Sequence, residues 1–110
     1  MPQQSAMKGV AFVVQNAQSS GNGIALAVPN SFREHRFQFV GSAGISAGAV
    51  QPEAANNPNF AGTWQPIGSA VTLPASTELD VTFEGIYQFV RVRISTPFVG
   101  GTVTCSYIGS

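Results

Sequence analysis

Apolar and polar residues alternate along most of this chain with a period of two. An extended strand imposes that spacing because its successive side chains point to opposite faces. From His35 to Val40 the pattern is plain, with Phe37 and Phe39 on one face and Arg36 and Gln38 on the other. Glu78 to Phe83 repeat it, apolar at Leu79, Val81 and Phe83. Tyr87 to Ser95 give the clearest strand: Val90, Val92 and Ile94 face inward, while Phe89, Arg91 and Arg93 face the other way. Pro97 is expected to end it. Gly9 to Gln15 are apolar on both phases, which predicts a strand covered on both faces. Shorter candidates are Ile24–Val28, stopped by Pro29, then Ile45–Gln51, Thr63–Ile67, Ala70–Leu73 and Thr102–Ile108. Pro66 argues for an edge or a bulge in its segment.

The intervening segments carry the residues that turns require. Asn16–Gly23 is rich in Asn, Ser and Gly, where positive φ is cheap. Gly41–Gly44 turns the chain between His35–Val40 and Ile45–Gln51, a pair that reads as a hairpin. Pro52–Gly62 is the longest stretch without strand pattern and reads as a surface loop suited to function. No window of ten residues holds a 3.6-residue apolar period, so helix is limited to a turn near Gln51–Asn56. The spacing predicts an all-β, antiparallel sandwich, jelly-roll-like, of about eight or nine short strands. Residues 1–8 form an N-terminal arm without strand pattern, and residues 9–110 form one domain.

Charge narrows the class of partner. Only 9% of the 110 residues are charged and the formal net charge is zero, against a usual charged share of about 25%. No basic patch of the kind that neutralises phosphates is available, so no nucleic-acid partner is expected. A surface so short of charge either relies on Ser, Thr, Asn and Gln for solvation or is covered in an assembly. The first eight residues lack a basic leader and an apolar run, so no signal peptide is expected. Val10–Val14, the longest apolar stretch, falls far short of the ~20 residues that span a bilayer, so no membrane partner is expected.

The inventory of reactive side chains is thin. His35 is the only histidine and shares a strand face with Phe37 and Phe39, the setting of a packing residue rather than of a base. Cys105 is the only cysteine, which excludes an intrachain disulfide, and its place between Thr104 and Ser106 reads as a small buried hydrophobe. Glu78, Asp80 and Glu84 form the acidic cluster, read as solvated strand residues, with pairing to Arg91 or Arg93 on a neighbouring strand as the alternative. No catalytic, cofactor-binding or metal-ligating set emerges, so neither an enzyme nor a cofactor is expected.

Contact residues are easier to nominate. The arm residues Met1, Pro2, Gln3 and Gln4 could add a strand to a neighbour. Phe60 and Trp64 flank the long loop, although alternation also sets Trp64 toward the core. Phe98, between Pro97 and Val99, is either tucked into its own domain or offered to a neighbour.

The run Gly62–Gly68 (GTWQPIG), then Phe83-Glu84-Gly85, Phe89–Ser95 (FVRVRIS) and Gly100–Thr104 (GGTVT) resembles small virion proteins of tailed bacteriophages. The likeness spans roughly residues 38 to 108 and rests on the order of the pieces. It implies a structural role in the virion, as a head decoration or cement protein made in the host cytoplasm. The partners it implies are further copies of the chain, as a dimer or trimer, and the major capsid protein. The Val90–Ile94 strand alone also resembles carbohydrate-binding sandwiches of the discoidin class. A glycan-binding or tail-fibre module in host recognition, using Trp64, Phe60 or Tyr87, is therefore the second expectation.

Overall fold

Alternation drives the chain into ten strands in the computed structural model, which describes residues 4–29, 31–56 and 64–110. In chain order they are β1 (Gln4–Ser5), β2 (Phe12–Gln18), β3 (Leu26–Ala27), β4 (Glu34–Gly41) and β5 (Ala47–Ala55). There follow β6 (Gln65–Pro66), β7 (Val71–Thr72), β8 (Glu78–Glu84), β9 (Phe89–Val99) and β10 (Val103–Gly109). One sheet runs β2-β10-β4-β8; the other runs β1-β3-β9-β5-β6, with β7 also on the β5 edge. Helix is absent among the described residues. Apart from the β1–β3 pair the ladders are antiparallel.

The two sheets are filled alternately. β2 lies in the first, β3 in the second, β4 in the first, β5 to β7 in the second, β8 in the first, β9 in the second and β10 in the first. This is a jelly roll, the double-sheet arrangement that the strand spacing predicts. It corrects the hairpin expected between residues 35 and 51: β4 pairs with β10 and β8, while β5 pairs with β9. The Gly41–Gly44 turn carries the chain across the sandwich instead of back along one sheet. Alternation within a strand reports which side is buried, and it is silent on which strand lies alongside.

The core lies between the sheets. Phe37, Phe39, Val103, Cys105 and Tyr107 from one side meet Leu26, Val50, Val90, Val92 and Ile94 from the other. The inward faces expected for residues 37, 39, 90, 92 and 94 are those observed. Three boundaries differ, each for a physical reason. β2 begins at Phe12 and is not covered on both faces, since Val13 is 48% exposed. Register shifts against β10, with Ala17 at φ 51°, bulge this strand so that Val14 and Gln15 are both buried. Pro97 does not end β9, because the β5–β9 register slips there and a bulge tolerates a residue with no N–H to give. The expected helical turn at 51–56, and the first part of the expected loop, belong to β5 as far as Ala55.

The arm does not hang free from Gln4 onward. Gln4–Ser5 pairs in parallel with Leu26–Ala27 of its own domain, the Ala6 N–H donates to the Ala27 carbonyl at 2.7 Å, and Ala6 is buried. On the far side of β3, segment 19–23 covers the β9 edge: the Ile94 N–H donates to Gly21 O and the Phe98 N–H to Ser19 O. Pro66, expected at an edge or bulge, lies in the edge strand β6.

Candidate interaction surface

Of the nominated contact residues, Met1, Pro2, Gln3 and Phe60 lie outside the described residues. Gln4 belongs to β1 on its own sheet. Phe98 is buried against Gly48 and joins the domain's own core, which removes it from any exposed surface. Trp64 is half-buried, ahead of β6, and the Arg91 guanidinium lies 4.3 Å from its ring centroid. That distance is within the range of a cation–π contact.

Arg91 leads to an arrangement that the acidic-cluster reading missed. Because Val90, Val92 and Ile94 point inward, Arg91 and Arg93 point outward from β9, and register sets Glu53 of β5 directly opposite Arg91. Arg91 Nε donates to Glu53 Oε1 at 2.9 Å, and Arg93 Nε donates to Glu53 Oε2 at 3.1 Å. The Glu53 side chain is 7% exposed, that of Arg91 17% and that of Arg93 40%. One carboxylate thus faces two guanidiniums, leaving one positive charge in excess. This removes the alternative pairing of Arg91 and Arg93 with Glu78 or Asp80, since those acids lie in the other sheet, and leaves them exposed strand residues. The signal for Glu53 was hidden because Pro52 beside it made the segment read as loop.

The other four carboxylates share one surface. Glu34 of β4 and Glu78, Asp80 and Glu84 of β8 all point outward from the β2-β10-β4-β8 sheet, opposite in parity to the buried His35, Phe37 and Phe39. Register pairs Glu34 with Glu84, Arg36 with Thr82, Gln38 with Asp80 and Val40 with Glu78. Among the described residues both salt bridges belong to Glu53, so none of these four is ion-paired there. Gln38 Nε2 donates to Glu78 Oε1 at 2.6 Å. A shallow depression of about 230 Å³, touching Arg36, Gln38, Asp80, Ser106 and Ile108, marks the middle of this face.

His35 and Cys105 are core residues, as their sequence settings suggest. His35 Nε2 lies 2.9 Å from the Gly85 carbonyl, which can only accept, so Nε2 carries the proton. Nδ1 then accepts from the Tyr107 hydroxyl at 2.6 Å. Burial lowers the His35 pKa from 6.5, against a smaller opposing effect of the Gly85 hydrogen bond. Burial pushes the Cys105 thiol up to about 12, so it is held protonated at neutral pH. Among the described residues no three His, Cys, Asp or Glu side chains converge to hold a metal ion. A cleft of about 430 Å³ opens between β6 and β8, lined by Asn56, Gln65, Pro66, Phe83, Glu84 and Tyr87.

No protein-family model matches the chain, and no curated protein matches it. Among solved structures the chain is similar to the SPBc2 prophage-derived protein YomS, at 18% sequence identity over 92% of each chain and with a TM-score of 0.62. The likeness is one of fold, and it runs nearly end to end in both proteins.

Proposed function

We infer that this protein is a structural component of a bacteriophage particle, a non-catalytic jelly-roll subunit that self-associates and reinforces the head. The observation that carries the reading is the fold shared with a prophage-derived protein over 92% of both chains. Jelly rolls recur as viral coat domains. The chemistry of the chain agrees, because its one histidine is committed to Tyr107 and Gly85 and its one cysteine is sealed in the core. Low charge agrees as well, since neighbours in a coat cover surface that a free monomer must solvate. The test is the solution mass of the chain, alone and with purified heads that lack it. A dimer or trimer that sediments with the heads and raises their disruption temperature is the expected result. A monodisperse monomer that ignores them overturns the proposal.

A glycan-binding module for host recognition is the second reading, favoured by the cleft between β6 and β8. Tyr87 offers a ring there and Asn56, Gln65 and Glu84 offer polar groups, the mixture that saccharide hydroxyls and ring faces engage. A glycan array without hits, or hits that survive Tyr87→Ala and Trp64→Ala, removes it.

A further inference from the structure

We propose that the arginine fork on the outer face of one copy, Arg91 and Arg93, receives the carboxylates Glu78 and Asp80 on the acidic sheet face of a second copy. This names the interface of the self-associating subunit and rests on that reading.

The fork is a built site. Glu53 is almost fully buried and holds both guanidiniums by their Nε atoms alone, at 2.9 and 3.1 Å. The Nη groups, which pair best with a second carboxylate in fork geometry, have no hydrogen-bond partner among the described residues. The Arg91 guanidinium also lies over the Trp64 ring, 4.3 Å from its centroid. One positive charge is left over, and the chain's own remaining carboxylates cannot reach it, since all four sit on the outer face of the opposite sheet. That face carries Glu34, Glu78, Asp80 and Glu84 against Arg36, a local excess of three negative charges. The fork's one spare positive charge therefore faces a surface of opposite sign, and the two remaining cations, Lys8 and Arg33, have their backbones at the end of the acidic sheet, beside Gly109 and Ser110.

Spacing agrees with charge. Arg91 and Arg93 are two residues apart on one strand, and so are Glu78 and Asp80 on another. Each pair is therefore separated by one pleat repeat of roughly 6.6–6.8 Å. Symmetric pairing through the β8 edge is disfavoured, because Glu78, Asp80 and Glu84 would meet their own like charges across the new ladder. A face-to-face contact between unlike faces is heterologous, so copies add head to tail and close into a ring or continue as an array.

Sedimentation velocity of the full chain at about 0.1 M and about 1 M NaCl tests this, since the screening length drops from ~10 to ~3 Å between them. The wild type is expected to associate at the lower salt and dissociate at the higher. The triple variant Glu78→Lys/Asp80→Lys/Glu84→Lys changes only exposed side chains without ion-pair partners among the described residues, at the loss of one exposed hydrogen bond from Gln38 to Glu78, and so keeps its fold. It is expected to weaken association at least ~10-fold. Arg93→Glu is expected to do the same, and mixing the two reversed variants restores a heavier species than either forms alone. Trp64, the only tryptophan, reports the contact by a change in emission that Arg93→Glu abolishes. Association unaffected by salt, a triple variant that associates like the wild type, or a monomer at both salts overturns the proposal. Head binding is scored separately on the wild type. Heads bound by a monomer remove this interface and leave head binding standing; salt-sensitive association without head binding does the reverse.

Discussion

At Gly48 the backbone runs at φ +146°, and a Cβ there would enter the Phe98 ring. The side chain of β9 and the bare backbone of β5 occupy one space at the point where the β5–β9 register slips. Gly48→Ala is therefore expected to cost about 1–3 kcal/mol from overpacking. Strain at that φ adds to it, and urea unfolding reads the sum. His35 gives the second residue-scale outcome. Its folded pKa lies below the 6.5 of the unfolded chain, so at low pH the unfolded state binds the extra proton. The stability the neutral ring supplies is complete above pH 6.5 and is lost as pH falls through 6.5 toward the lower folded value. Thermal unfolding between pH 7.5 and pH 5 follows this slope, and His35→Gln flattens it. Tyr107→Phe leaves Nδ1 buried without a donor and is expected to cost about 1–3 kcal/mol at pH 7.5. Residues of this kind were partly legible. One histidine on a phenylalanine face announces burial, but its bond to Tyr107 spans 72 residues and has no local signature.

At the scale of elements, what could be read was the side each residue faces, and what could not was its neighbour. The alternations at 35–40, 78–83 and 89–94 reappear as β4, β8 and β9 because burial on one face dictates them. The bulges escaped, since an extra residue on one strand is defined only against its partner. The second half of β5 escaped too, beyond the expected strand end at Gln51: Pro52, Ala54 and Ala55 have weak strand propensity, and packing on β9 overrides it. That omission hid Glu53 and with it the fork. The fork also bears on stability. Removing the carboxylate leaves two guanidiniums beside each other, one of them 17% exposed. Glu53→Ala is expected to cost about 3–5 kcal/mol, as loss of one partner of a buried pair does. Arg93→Ala, at a side chain 40% exposed, is expected to cost under ~1 kcal/mol. Urea midpoints of the two variants separate a buried anchor from an exposed arm of the same cluster.

Over the whole molecule, the alternation of strands between sheets ties the chain's ends together. β2 pairs with β10, and the Gly9 N–H donates to the Gly109 carbonyl at 2.8 Å. Neither sheet can therefore open without breaking contacts between distant segments, and such a topology unfolds as one unit. Cys105 tests this directly. It lies in the middle of β10, flanked by β2 and β4, and is fully buried. With its thiol pushed up to about 12, only on the order of one native molecule in ten thousand carries a thiolate at pH 8, and that one is out of reach of reagent. Labelling must then pass through unfolding, after which the thiol returns to its ordinary acidity and reacts quickly. The labelling rate at pH 8 is expected to rise with urea at the slope of global unfolding and to match the unfolding rate seen by Trp64 emission. A rate independent of urea would mean that β10 frays locally and that the sandwich is held by one sheet alone.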